Sequence, residues 1–176
     1  RALAGEGARV VAHYHRHRDA AASLVEESGD RVVALPADLR DESQVERLFT
    51  ASLAQFGRID VLVANAGIAP QRSPLCDMSL ERWRETMDAD LTSVFLTCRA
   101  FLRHVRDQPR DAASIIIIGS TAALFGEENL ADYAAAKAGM THGLTLSLKN
   151  EIARLAPRGR VNCICPGWTV TPMADE

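Results

Sequence analysis

Ser114-Ile115-Ile116-Ile117-Ile118-Gly119-Ser120 is the stretch that decides the fold. Four consecutive β-branched side chains closed by a glycine and a serine read as a strand buried on both faces. Strand-like stretches recur along the chain at 8–14 (ARVVAHY), 31–35 (RVVAL), 59–64 (IDVLVA) and 160–164 (RVNCI). Helical patterns lie between them at 19–28 and at 41–56, where Val45, Leu48, Phe49 and Leu53 share a face and Gly57 stands just past the end. A long helix is expected over 80–105, with Trp83, Met87, Leu91, Val94, Phe95 and Leu102 returning to one side behind Ser79 as N-cap. A second long helix is expected over 130–155. Apolar strands alternating with helices imply an α/β fold, a doubly wound parallel sheet in a three-layer α/β/α arrangement. No linker, repeat or composition break interrupts the 176 residues, so 1–176 reads as one domain.

Composition narrows the function classes. With 47% hydrophobic and 24% charged residues the chain can bury a core, which excludes a disordered or low-complexity segment. A net charge of -3 provides no field to gather a polyanion, so no nucleic-acid partner is expected. No apolar run approaches the ~18 residues of a membrane span and no signal peptide opens the chain. Cys76, Cys98, Cys163 and Cys165 form no C-x-x-C pair and read as free buried thiols. A cytoplasmic location is expected. Residues 1–4 (RALA) read as the last turn of a helix stopped by Gly5 and Gly7, which implies that something precedes them.

The strongest local signal for chemistry is Tyr133-Ala-Ala-Ala-Lys137. Four residues apart on a helix, the two side chains share a face with Cβ atoms ~5–6 Å apart. A phenol of pKa ~10 is a poor acid or base near neutrality, and lowering it by ~3 units requires ~4 kcal/mol of preference for the phenolate. One ammonium at ~4 Å supplies about that much at an effective dielectric of ~20. Ser120 ends the SIIIIGS strand at the carboxyl edge of the sheet, the usual ligand crevice, where its hydroxyl can hold a substrate carbonyl oxygen or simply form a turn. Asn65-Ala66-Gly67 follows IDVLVA directly, and its small residues let the backbone approach a ligand or a neighbouring strand. Asp38-Leu39 after VVALPA can accept from an adenine amino group or cap a helix.

Together these residues resemble the short-chain dehydrogenase/reductase family over essentially the whole chain. The motifs that carry the resemblance are Asp38-Leu39, Asn65-Ala66-Gly67, Ser120, Tyr133-x-x-x-Lys137 and Pro166-Gly167-Trp-Thr-Val-Thr171, in family order and spacing. The resemblance implies a Rossmann-type fold and hydride transfer between a nicotinamide cofactor and a carbonyl or alcohol carbon of a small molecule. It makes Tyr133 the general acid/base and Ser120 the residue that orients the substrate oxygen. It has Lys137 hold the nicotinamide ribose and depress the tyrosine pKa, and Pro166, Gly167, Thr169 and Thr171 face the nicotinamide. It also implies a homodimer or homotetramer paired through the two long helices. The walls that select substrate would be the loops 68–79 and 121–129 and the stretch from Trp168. Ala122, Ala123, Leu124 and Phe125 can form an apolar pocket wall or pack in the core.

Two departures stand out. The family's opening strand and its turn, T-G-x-x-x-G-x-G, have no counterpart here. Family order places that strand between those at 8–14 and 59–64, so the sequence is expected to be a fragment cut at both ends that binds dinucleotide poorly in isolation. Asp90, in Asp90-Leu91-Thr92-Ser93-Val94-Phe95, stands where the family usually has an Asn that holds a water in a proton relay with the lysine. A carboxylate can keep that relay, but its charge opposes the lysine's pull on the phenol, so Tyr133 is expected to titrate higher.

The segment His13-Tyr14-His15-Arg16-His17-Arg18 carries no acid at the end of its strand, where an acid would bond the ribose of NAD, so NADP(H) is favoured over NAD(H). His13-Tyr14-His15-Arg16 also looks like the NADPH-dependent pteridine reductases of the family, which implies His15 and Arg16 beside the 2′-phosphate. A metal on His13, His15 and His17 lacks a carboxylate or thiolate placed to complete it, and no metal site is assigned. Intact Ser120, Tyr133 and Lys137 speak for an enzyme. Asp90 alone speaks for the alternative, a catalytically weak or inactive member that binds dinucleotide or a partner.

Overall fold

A computed structural model describes residues 1–169, so Thr171 lies outside the described residues. These residues group into two compact units, one from Arg1 to Ile59 and one from Asp60 onward.

In the first unit a short helix α1 (Ala2–Gly5) leads to strand β1 (Val10–Tyr14), helix α2 (Arg18–Ser28), strand β2 (Val32–Pro36) and helix α3 (Glu42–Phe56). β1 and β2 pair in parallel, Val10 opposite Val32 through Tyr14 opposite Pro36. The α3 start follows from Asp41, whose carboxylate accepts from the N–H groups of Ser43 and Gln44. Its stop follows from Gly57, which takes φ 78 at no steric cost. Ala21, Val32, Val45 and Leu48 form the small core of this unit.

The second unit holds a three-stranded parallel sheet in the order β3 (Val61–Ala64), β4 (Ser114–Ile118), β5 (Arg160–Ile164). Ile115 and Ile117 are fully buried and Ile116 and Ile118 half-buried, so both faces of β4 are covered. Parallel pairing requires crossovers. The first runs through α4 (Leu80–Met87) and α5 (Ser93–Asp107), and the second through α6 (Ala122–Phe125), α7 (Ala131–Ala138) and α8 (Thr145–Leu155). Neither β1 nor β3 has a further strand beside it among the described residues.

The five strands lie where the β-branched runs predict them. The long helices differ from expectation in one respect: each contains a π turn, Asp88–Thr92 between α4 and α5 and Gly139–Leu144 between α7 and α8. A π turn inserts one extra residue and so rotates everything after it by about 100°. That rotation explains why Val94, Leu96, Cys98, Phe101 and Val105 are buried while Phe95, expected on the inner face, is exposed. The cysteines also depart from a uniformly buried set, because Cys98 is buried, Cys163 and Cys165 are half-buried and Cys76 is exposed. Among the described residues, no helix is long and apolar enough to cross a membrane.

Candidate active site

The site is built at the carboxyl ends of β3, β4 and β5. Beyond β4 the backbone stays tied to the strand beside it: Gly119 N–H donates to Ile164 O at 2.8 Å and Thr121 N–H to Pro166 O at 3.0 Å. Gly119 has to be a glycine, since a Cβ there would stand 2.7 Å from Thr141 Oγ1 and 2.9 Å from Cys163 Sγ. Ser120 Oγ accepts the N–H of Ala122 at 3.1 Å, which opens α6 and leaves the hydroxyl proton free to donate. The Ser120 side chain stands near enough to the Tyr133 phenol to pull its pKa down.

Tyr133 and Lys137 stand one turn apart on α7. Lys137 is buried, with Nζ 5.4 Å from the centre of the Tyr133 ring and 3.4 Å from Ile118 O, to which it donates. Asp90, fully buried in the first π turn, accepts the N–H of Ile68 on Oδ1 at 2.7 Å, and its Oδ2 has no hydrogen-bond partner among the described residues. Gly67 is pinched between these groups: a Cβ there would lie 2.6 Å from Asp90 Oδ1 and 3.4 Å from Lys137 Nζ. The Asn65-Ala66-Gly67 glycine therefore lets the turn after β3 close on the carboxylate and the ammonium.

These residues share a cleft of about 320 Å³. Ser120, Tyr133, Lys137, Asn65, Gly67, Pro166, Gly167 and Thr169 all line it, and Ile68, Pro70, Leu130 and Trp168 add apolar surface. Ala66 is half-buried and is not part of the lining. Among Ala122, Ala123, Leu124 and Phe125, Ala122 lines the cleft, whereas Leu124 and Phe125 are exposed.

The electrostatic balance agrees in direction with the expectation that Asp90 makes Tyr133 titrate higher. Burial raises the Tyr133 pKa above its ordinary value, the Ser120 hydrogen bond opposes that rise, and the Asp90 carboxylate adds to it. Burial lowers the Lys137 pKa, against the attraction of Asp90 and Cys163. Asp90 is in turn raised by burial, against the pull of Lys137 and the Ile68 N–H, with Asp132 pushing it further up. The lysine thus faces a buried carboxylate.

The candidates for the adenosine end lie in the first unit, at the carboxyl ends of its strands. His15 Nε2 is 3.8 Å from Asp38 Oδ2. Arg16 is exposed and Leu39 half-buried. Asp38 caps no helix: Arg40 grips its carboxylate through Nε at 2.9 Å and Nη2 at 2.6 Å, which holds its pKa down at about 2. Arg40 is the residue sequence reading missed here, since nothing in a two-residue spacing announces such a grip. Among the described residues no group of His, Cys, Asp or Glu could hold a metal ion.

The donor set of the cleft fits a nicotinamide nucleoside. A lysine ammonium carries three donors, and among the described residues it makes one long bond, to Ile118 O, so donors remain for ribose hydroxyls. Residues 1–176 match a family model described as short chain dehydrogenase. The chain belongs to the short chain dehydrogenase family. Over 174 residues it is 34% identical to the cis-4-hydroxycyclohexanecarboxylate dehydrogenase of Sinomonas cyclohexanicum, covering 98% of this chain and 68% of that one. Over 179 residues it is 38% identical to the 3-oxoacyl-[acyl-carrier-protein] reductase of Synechocystis sp., covering 99% and 70%. The crystal structure of a 3-ketoacyl-(acyl-carrier-protein) reductase from Brucella melitensis, complexed with NADH, superposes with a TM-score of 0.89 at 29% identity, covering 98% of this chain and 71% of that one. The chain thus spans about two thirds of the length of these short chain dehydrogenase relatives, which are named as oxidoreductases.

Proposed function

We propose that the protein moves hydride between NADP(H) and a carbonyl or alcohol carbon of a small molecule, with 1–176 serving as part of one Rossmann-type dinucleotide-binding domain. The observation that carries this reading is the convergence of Ser120, Tyr133 and Lys137 on one cleft beside Gly67.

In the reducing direction a carbonyl oxygen enters between the Ser120 hydroxyl and the Tyr133 phenol. Ser120 Oγ, already accepting from Ala122 N–H, directs its proton at that oxygen. Tyr133 Oη gives up its proton as charge grows there, and a phenol with a raised pKa is suited to holding that proton until it is needed. When bound, the dinucleotide supplies or takes the hydride at its nicotinamide carbon. Lys137 Nζ holds the nicotinamide ribose, with Asn65, Pro166, Gly167 and Thr169 beside the ring. Asp90 fastens the turn after β3 and accepts a proton in exchange with Lys137. Ile68, Pro70, Leu130 and Trp168 exclude water from the substrate side.

NADP(H) is preferred because Arg16 offers positive charge and His15 a ring N–H donor for a 2′-phosphate, with Asp38 and Leu39 at the adenine. The Brucella neighbour binds NADH, so the preference rests on these residues alone. A second reading, a weakly active or inactive dinucleotide- or partner-binding member, draws on the buried Asp90 carboxylate and the raised Tyr133 pKa. We place the protein in the cytoplasm as a homodimer or homotetramer. The groove between α5 and α8, where Phe95, Leu102, Leu144 and Leu155 are gathered, supports pairing through the long helices.

The test is a panel of ketones, aldehydes and secondary alcohols with NADPH, NADH and their oxidised forms on the full-length protein, followed by hydride label. Transfer of label to a carbonyl carbon, faster from NADPH, is expected. Tight dinucleotide binding with no transfer to any carbonyl would establish the second reading instead.

A further inference from the structure

A buried charge network adjoins the reacting tyrosine, and the proton chemistry above makes no use of it. Asp132, the residue before Tyr133, is fully buried. Its Oδ1 accepts the N–H of Tyr133 at 2.9 Å. Its Oδ2 accepts from Arg82 Nε at 3.0 Å and from Thr86 Oγ1 at 2.9 Å. Arg82 and Thr86 are one turn apart on α4, whose start is fixed by Ser79 Oγ accepting the Arg82 N–H. A chain of directional bonds therefore runs from one face of α4 through a carboxylate to the backbone of the residue that bears the phenol.

Such a network is an expensive way to join two helices. An interior ion pair gives up hydration on both partners, and apolar residues of similar volume hold helices together at least as well. Here the pairing is incomplete too, since Arg82 Nη2 is buried with no partner among the described residues. What apolar packing does not supply is direction. Tyr133 sits in the first turn of α7, where N–H groups lack partners within the helix, and Leu130 at the N-cap contributes no side-chain bond. The Asp132 carboxylate takes up that function and ties it to α4.

We propose that Asp132, held by Arg82 and Thr86, is a positioning residue that sets the rotation of the first turn of α7 and so keeps the Tyr133 phenol within hydrogen-bond reach of Ser120. The groups facing the phenol are the Ser120 hydroxyl from the end of β4, Asp90 from the π turn and Lys137 from its own helix. Asp132 faces Arg82 and Asp90, and Cys163 of β5 faces Lys137.

The decisive variants are Asp132→Asn, Thr86→Val and Thr86→Ser in the full-length protein, read by tyrosine-ring NMR titration with the Tyr133 signal assigned by its loss in Tyr133→Phe. The three roles Asp132 could play give different directions. If it positions the phenol, loosening it costs the Ser120 bond, and the Tyr133 pKa rises. If it acts only as a charge, removing an anion lowers that pKa. If it serves only the fold, the thermal midpoint falls and the titration stays put. We expect the rise in Asp132→Asn, a smaller rise in Thr86→Val, which keeps the ion pair, and recovery in Thr86→Ser. Thr86→Val decides the matter if Asp132→Asn does not fold. An unmoved or lowered Tyr133 pKa in the folded variants overturns the proposal. The kinetic arm rests on the hydride-transfer reading: Asp132→Asn should lose about tenfold to a hundredfold in kcat with the dinucleotide KM nearly unchanged. Should the unaltered protein reduce no carbonyl, that reading fails, while the ring titration still decides this one.

Discussion

Replacing Asp90 with Asn removes a buried negative charge while keeping the acceptor that fastens the turn after β3. Asp90 Oδ1 and Lys137 Nζ lie 2.6 and 3.4 Å from one point, the place a Cβ on Gly67 would take, so they are at most about 6 Å apart. Lys137 Nζ is 5.4 Å from the centre of the Tyr133 ring, which brings the carboxylate within about 11 Å of that ring. At an effective dielectric of ~20 to ~40, a unit charge at ~11 Å is worth about 0.8 to 1.5 kcal/mol, or about half a pH unit to one pH unit. Because the carboxylate raises the Tyr133 pKa, the substitution should lower it. In alcohol oxidation, where the phenolate is the base, the limb of the kcat/KM profile set by Tyr133 should move toward neutrality by that amount. The same change removes the attraction that supports the lysine ammonium, so activity at the top of the pH range should fade earlier. Stability gives an independent check. A carboxyl whose pKa is raised by folding opposes folding once it is ionised. Asp90→Asn should therefore raise the thermal midpoint near neutrality, and the gain should shrink as the pH falls through the folded pKa of Asp90 toward the ordinary carboxylate value. A pH-rate profile that does not move in Asp90→Asn would refute the electrostatic reasoning.

Three further changes separate the parts of the site. Tyr133→Phe removes the proton-bearing oxygen and should cut hydride transfer by at least ~100-fold while dinucleotide binding, read by fluorescence, changes little; comparable losses in both would make the tyrosine a binding residue. Gly67→Ala drives a Cβ against an Asp90 oxygen already anchored by the Ile68 N–H, and should cost about 1–3 kcal/mol of stability by denaturant titration. An unchanged midpoint would mean that Asp90 swings aside freely. Arg16→Ala should weaken NADPH binding about tenfold or more and spare NADH, measured by calorimetry on the full-length protein; equal losses for both would remove Arg16 from the 2′-phosphate.

What the sequence could reveal follows from the range of each interaction. The strands were readable because β-branched runs such as Ile115–Ile118 carry their burial in their own composition. Ser120, Tyr133 and Lys137 were readable because a strand end and a four-residue helical spacing fix geometry locally. The upward direction of the tyrosine's pKa was readable from Asp90 in the family's Asn position, whereas burial, its largest cause, was not, because burial is set only by folding. The Asp132 network was invisible for the same reason, since Arg82 and Asp132 are 50 residues apart. Arg40 was passed over although it is two residues from Asp38, because that contact depends on the turn rather than on the spacing. The phase of the long helices failed at the π turns, whose extra residue no apolar period announces.

Those π turns account for how two buried charges come to face each other. Leu91 lies in the first and Gly139 opens the second, and a Cβ on Gly139 would stand 3.2 Å from Leu91 Cδ2. The two widened turns therefore pack directly against one another at a point where a glycine allows close approach. Asp90 is the neighbour of Leu91, and Lys137 precedes Gly139 by two residues, so the same crossing that seats Leu91 also sets the carboxylate against the ammonium. A regular α-helix through 88–92 would leave later residues about 100° out of their present phase, and Val94 and Cys98 would no longer be the buried positions. The irregular turn thus lets one helix direct Asp90 at the lysine while its next residues still bury the core face, linking the position of the charged group to the packing of the whole helix.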